Sequence, residues 1–204
     1  MNQAIADIIK SKIEDLDFID KIAGLVQTVY VDIMGENGER VTKSFPVACC
    51  VTANDCIEGA YNELAPNSKY KTVIYFEDGG VSFERNTRTH KFFRSTLRLV
   101  CWINVAKLKE QECYNTLSCT VSAHLIADII RHLPRYPENI SPFDAVSFEV
   151  TDQVIRSNSI FSQYSYNEKQ TQYLLSPYDF FALTIQTEFG ICLSGRDVYE
   201  DCHD

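Results

Sequence analysis

Apolar residues recur every three or four positions in two stretches of the chain, which is the spacing of one face of an α-helix. The first stretch is residues 3–16 and the second is residues 112–133. Pro134 follows the second stretch, and its ring, which has no amide hydrogen, ends a helix. The pattern predicts an amphipathic helix at the N-terminus and a longer one in the middle, with a short third helix at about residues 168–175.

Apolar and polar residues alternate in several other stretches, which is typical of β-strands. Residues 25–33 and 40–51 flank a segment at 35–38 whose asparagine and glycines favour a turn. Pro46 lacks the amide hydrogen that a central strand needs, so the second of these strands should lie at an edge of the sheet. A first β-hairpin is therefore predicted.

A second hairpin is predicted around the Asp-Gly-Gly segment at residues 78–80. Its strands would be residues 70–77 and 80–86, because both alternate and the glycines between them tolerate turn conformations. Residues 84–95 are charged and polar, and they are expected to form a loop. This loop would connect the hairpin to the next strand.

The clearest strand runs over residues 96–105, where one set of alternating residues is apolar and should face the core. That set is Leu97, Leu99, Cys101, Ile103 and Val105. Two later strands are predicted at residues 146–155 and 182–191.

This order of elements predicts an α+β fold, in which an antiparallel, twisted sheet has helices packed on one face. Strands and helices do not alternate regularly, which argues against a parallel sheet. The 204 residues suit one domain with a core of its own. The predicted organisation is an N-terminal amphipathic helix (residues 1–20), a single α+β domain (residues 21–193) and a flexible acidic tail (residues 194–204).

The formal net charge of -9 disfavours general nucleic-acid binding, because phosphate backbones are repelled. One local cluster departs from that average. It consists of four cations, Arg85, Arg88, Lys91 and Arg94, with His90 and Arg98 beside them. The cluster is read either as a solvated segment leading into a strand or as a surface that contacts DNA or an acidic neighbour.

Residue types that carry catalysis are present, but not in recognisable patterns. The eight cysteines include no C-x-x-C pair and the four histidines are scattered, so no zinc site and no cofactor are predicted. The cysteines are expected to be reduced thiols. An enzyme built on Cys113 and His124 is an alternative, but the favoured prediction is a protein without enzymatic activity. No apolar run is long enough to span a bilayer, so no membrane association is predicted.

Three segments near the C-terminus resemble a pattern in structural proteins of phages and prophages from Bacteroides-type hosts. They are FSQYSYNE at 161–168, QYL at 172–174 and SPYDFFAL at 176–183. The order of elements, with a long strand containing Trp102 before the central helix, is also similar to that of the tail-terminator and head–tail connector family. That family includes ring proteins in the neck of crAss-like phages.

The resemblance implies a virion protein, made in the cytoplasm of the bacterial host, that forms a ring of six or twelve copies at the neck or tail. Its partners would be copies of itself and the portal, connector and tail proteins of the same phage. The four cations named above would line the channel and contact genomic DNA loosely. A cytosolic adaptor without enzymatic activity is the alternative function.

Aromatic residues of the resembling segment are candidates for the interface between subunits, since aromatic side chains are enriched in interface cores. They are Phe161, Tyr164, Tyr166, Tyr173 and Tyr178. Packing of the same side chains inside the monomer is the alternative, because aromatic residues serve both places.

Overall fold

The computed structural model describes residues 1–34, 38–48, 63–116, 121–166 and 168–192. Three features predicted from the sequence fall wholly or partly outside these residues: the acidic tail, most of the first turn, and five of the cysteines. Those cysteines are Cys49, Cys50, Cys56, Cys119 and Cys202.

A seven-stranded sheet forms the centre of the molecule and curls into a half-barrel. Its strands are β1 (Lys21–Met34), β2 (Arg40–Ala48), β3 (Thr72–Asn86), β4 (His90–Asn104), β5 (Glu138–Ile140), β6 (Phe143–Ile155) and β7 (Tyr178–Cys192). Their order across the sheet is β2-β1-β3-β4-β7-β6-β5. β2, which contains Pro46, lies at one edge, so the prediction of an edge strand is confirmed.

The sheet is mixed, and the prediction of a wholly antiparallel sheet is wrong at one pair of strands. β1 and β3 are parallel, with Leu25 opposite Phe76. The reason is that β2 returns along the outer side of β1, so the chain crosses over before β3 pairs with the inner side of β1. All other neighbouring strands are antiparallel.

Within the described residues, four α-helices accompany the sheet: α1 (Asn2–Ile13), α2 (Val105–Leu108), α3 (Val121–His132) and α4 (Glu168–Gln172). A 3-10 turn spans Asn158–Ile160. The two longer helices, α1 and α3, occupy the stretches where helical periodicity predicted them. Residues 112–116 form turns instead of the predicted first part of the long helix. None of the described helices is long and apolar enough to cross a membrane.

One face of the sheet, which we call the helix face, packs against α1 and α3. It contains the predicted core residues Leu97, Leu99, Cys101 and Ile103, each fully buried. Ile5 and Ile9 of α1 are fully buried in the same cluster, so this helix packs against the sheet of its own chain. Four of the five predicted core residues are therefore confirmed, whereas Val105, the fifth, begins α2 and is only partly buried.

The opposite face carries a second core that the sequence analysis did not predict. Val73, Tyr75, Val100 and Trp102 from the sheet are buried there under residues 157–178, which we call the crossover segment. The 3-10 turn and the residues after α4 belong to this segment. The longer helices therefore lie on the helix face as predicted, and Leu108 of α2 is buried in the same cluster. The 3-10 turn and the residues after α4 cover the other face, which we call the crossover face.

The predicted turn at residues 78–80 is wrong, because β3 continues through it to Asn86. A β-carbon on Gly79 would lie 2.9 Å from the carbonyl oxygen of Thr96, and Gly80 has a φ of 95°. The glycines thus form a bulge in the ladder between β3 and β4. Residues 84–95, predicted as a loop, mostly belong to these two strands, and the chain turns at residues 87–89.

Candidate assembly surfaces

The crossover segment holds the five aromatic candidates, and the structure packs them within the monomer. Phe161, Tyr164 and Tyr166 are all less than a tenth exposed. Phe161 meets Phe180 of β7 edge-to-face at 5.2 Å, and Tyr164 stacks on Tyr166 at 5.8 Å. These three side chains are covered in the folded chain, so the geometry favours the intramolecular alternative over the interface.

Tyr173 and Tyr178, the other two candidates, surround the single tryptophan and are partly buried. The indole N–H of Trp102 donates a hydrogen bond to the carbonyl oxygen of Tyr173 at 2.7 Å. The Tyr178 ring stacks on the indole with 5.4 Å between centroids. Both tyrosines therefore fasten the crossover segment to β4.

Hydrogen bonds and an ion pair on the crossover face link the crossover segment to β3 and β4. The carboxylate of Glu77, which is almost buried, accepts hydrogen bonds from the Tyr164 hydroxyl at 2.9 Å and from the Gln163 amide. Arg98 forms an ion pair with it at 3.3 Å. Burial raises the pKa of Glu77, and the hydrogen bonds and the arginine only partly offset this effect.

A second polar contact ties the end of β6 to the start of β7. Arg156 donates to both carboxylate oxygens of the fully buried Asp179, at 2.8 and 2.9 Å. The backbone N–H of Phe180 donates to the same carboxylate at 2.9 Å. Arg156 has a φ of 52°, and its own N–H donates to the carbonyl of Phe180. The ion pair with Asp179 therefore stabilises Arg156 in its left-handed backbone conformation just after β6 ends.

The four cations predicted as a basic patch are brought near one another, but not onto one face. Arg94 is bracketed by carboxylates, with Glu188 at 2.6 Å and Glu84 at 3.4 Å. Arg85 lies on the crossover face, as Arg94 does, and its guanidinium is 4.5 Å from the centre of the Phe92 ring. Strand alternation turns Lys91 to the helix face, and Arg88 lies exposed in the turn. Only part of the predicted patch is available to a partner.

Residues 78–86 of β3, which we call the β3 arm, form an exposed edge. β1 pairs with β3 only as far as Phe76, so among the described residues the arm has β4 on one side and no strand on the other. Every one of its residues is exposed. Val81 and Phe83 are large apolar side chains that are 38% and 58% exposed, and both lie on the helix face.

Residues 149–155 of β6, which we call the β6 edge, lie on the other side of the sheet. They pair with β7, whereas β5 covers only the beginning of β6, so no strand in the described part of the chain lies along their outer side. A groove of about 760 Å³ runs beside this edge. Glu149 and Asp152 are exposed along it.

Cys113 and His124 are the residues named above for an alternative enzyme. His124 lies 3.6 Å from Asp128 in the same helix and against the Tyr114 ring. Within the ranges that the structure describes, no group of three or more histidine, cysteine or acidic residues could hold a metal ion.

The described cysteines are of three kinds. Cys113 is an exposed free thiol. Cys101 is a buried one whose pKa is raised well above the usual value by burial and by Asp179. Cys192 is disulfide-bonded, so the expectation of reduced thiols is wrong for that residue.

No protein-family model matches the chain, and no curated protein matches its sequence.

Proposed function

We propose that the chain is a structural subunit of a phage particle, which assembles into a ring at the head–tail junction or at the end of the tail. The observation that supports this proposal best is the β3 arm, where nine consecutive strand residues are exposed and, among the residues that the structure describes, only one edge is paired. An exposed strand edge invites pairing with another chain and is a liability for a protein that acts alone. For an assembling subunit, the same edge is a contact surface.

Two further features agree with a subunit of a ring. The β6 edge is a second strand edge that has no partner in the described part of the chain, and it lies at the opposite side of the sheet from the arm. A contact between two different surfaces generates rings when it closes. The crossover segment carries the residue pattern that resembles phage structural proteins. We propose six or twelve copies in the ring, with the portal, connector and tail proteins of the same phage as neighbours and with only loose contact to DNA.

The test is association with phage particles. Particles of the phage or prophage that encodes the chain are purified, and their proteins are quantified by mass spectrometry. We expect a constant number of copies in each particle, and electron microscopy with a labelled chain should place them at the neck or tail. A chain that is absent from particles and instead captures a cytosolic bacterial protein would contradict the proposal and support the adaptor alternative.

A further inference from the structure

The β3 arm and the β6 edge, neither of which has an outer partner strand among the described residues, complement each other in direction. β3 is antiparallel to β4, β4 to β7, and β7 to β6, so the β3 arm and the β6 edge run in opposite directions. A second copy related by rotation about an axis can therefore place its β3 arm antiparallel to the β6 edge of the first. The sheet would then continue from one copy to the next with the same face outward.

The apolar side chains of the two edges lie on matching faces. Val81 and Phe83 of the arm point to the helix face, because they pair with Ser95 and Phe93 of β4. Ile155 of the β6 edge points to the same face through its pairing with Phe181, and it is 39% exposed. In a continued sheet, these three exposed side chains would come together on one side and leave water.

The charges of the two edges match on the opposite face. At the tip of the arm, Arg85 lies on the crossover face and Arg88 is exposed in the turn, whereas Lys91 points to the helix face. Glu84, the neighbouring carboxylate of the arm, is ion-paired with Arg94. The β6 edge includes two carboxylates, Glu149 and Asp152, and no cation. Register places both carboxylates on the crossover face, which is also the face of Arg85. The groove beside the edge has a further carboxylate, Glu188, and two arginines, of which Arg94 is already ion-paired.

The positions of the edges also agree with a closed assembly. Ser82, at the middle of the arm, pairs with Arg94 of β4. Asp152, at the middle of the β6 edge, pairs with Thr184 of β7, which in turn pairs with Arg98 of β4. Along β4, the two midpoints are therefore offset by the distance from Arg94 to Arg98. This offset corresponds to a stagger of about 14 Å along the strands, and the four strands from β3 to β6 span about 19 Å across the sheet. A strand tilt of about 36° would cancel this stagger around a ring, within the ~35–45° found in closed sheets.

We propose that the β3 arm of one copy pairs with the β6 edge of the next copy, so that a second copy of this chain is the occupant of the groove. The contact is heterologous, since each copy uses two different surfaces, and it rests on the proposed function by naming the surfaces through which the ring forms. Backbone hydrogen bonds would supply the pairing. The apolar and charged side chains would set the register.

The test is an exchange of charge between the two edges. One variant, Arg85→Glu with Arg88→Glu, gives the arm an acidic tip, and the other, Glu149→Lys with Asp152→Lys, gives the β6 edge a basic one. A control, Lys12→Glu with Lys109→Glu, makes the same change in net charge as the first variant at exposed positions outside both edges. Fluorescence of Trp102 checks that each variant is folded.

We expect the wild type and the control to assemble and each edge variant alone to remain monomeric, because like charges would then face each other. A mixture of the two variants in equal amounts should assemble again, with the variants alternating and an even number of copies. Native mass spectrometry resolves the composition. Edge variants that assemble as well as the wild type, a mixture that stays monomeric, or a wild type that never assembles would each overturn this inference.

The outcome is separable from the proposed function. If the chain is present in particles and the edge variants still assemble, the ring forms through other surfaces and only the inference fails. If the charge exchange works but the chain is absent from particles, the edge contact stands and the phage function fails.

Discussion

Replacing Phe161 by alanine separates the two roles that aromatic residues of the crossover segment can have. Its side chain is 4% exposed and packs edge-to-face on Phe180 at 5.2 Å, with Tyr166 at 6.1 Å. Deleting a buried phenylalanine side chain costs about 3–5 kcal/mol, since transfer free energy is lost and a cavity remains. Phe161→Ala should therefore lose a large share of the ~5–15 kcal/mol that stabilises a typical domain.

Urea denaturation followed by fluorescence measures this loss, because the only tryptophan, Trp102, lies in the same core. With a slope of about 2 kcal/mol per molar urea, the midpoint of Phe161→Ala should fall by roughly 1.5–2.5 M. Leu175→Ala is the matched control in the same segment, because Leu175 is exposed, and its free energy of unfolding should change by less than about 0.5 kcal/mol. A Phe161→Ala variant that unfolds at the wild-type midpoint but no longer assembles would refute this reasoning and assign Phe161 to the interface.

Three further predictions concern the polar contacts and the bulge. The raised pKa of Glu77 means that the folded state binds a proton more readily than the unfolded state, so its contribution to stability is present below the unfolded pKa of 4.5 and is lost as pH rises through the folded pKa. The free energy of unfolding of the wild type, minus that of Glu77→Gln, should therefore fall as pH rises across this window. A difference that does not change with pH would contradict the prediction. Arg156→Ala should cost about 3–5 kcal/mol, because it leaves the buried Asp179 uncompensated, whereas Asp179→Asn should cost less than about 2 kcal/mol; chemical denaturation of both variants would reveal a reversed order. Gly79→Val should destabilise the fold by thermal denaturation, because its side chain would meet the backbone of Thr96, whereas Val81→Thr in the same exposed strand should change little.

The sequence predicted well the face of β4 on which apolar residues alternate without interruption, and it missed the other face. Leu97, Leu99, Cys101 and Ile103 alternate strictly, and the structure buries them all on the helix face. The same strand has Val100 and Trp102 buried on its other face under the crossover segment. Arg98, which precedes them on that face, interrupts the run of apolar residues. A strand with two covered faces gives no clean alternation, so the second core was missed.

The second hairpin was misread for a different physical reason. Turns and β-bulges both use glycine at positive φ, and residues 78–80 therefore satisfy either interpretation. What separates the two is the long-range pairing of β3 with β4, which local sequence does not show. The charged residues of 84–95 resembled a loop because both faces of the β3 arm are exposed.

The polar contacts of Glu77 and of Asp179 could not have been found from spacing. Glu77 and Tyr164 are 87 positions apart, and Arg156 and Asp179 are 23 apart. Both contacts depend on the order of strands in the sheet. The end of β6 lies beside the beginning of β7, and the crossover segment passes over β3. A signal was nevertheless present: Asp179 lies at the beginning of an apolar strand, where an acid requires a partner.

Native mass spectrometry of the wild-type chain over a concentration series tests most directly whether two different edges of each copy hold the assembly together. Closure through unlike surfaces predicts that one species of six or twelve copies accumulates as concentration rises, with open intermediates remaining scarce. A chain that stays monomeric at its highest soluble concentration, or that stops at a dimer, would contradict head-to-tail assembly through the β3 arm and the β6 edge.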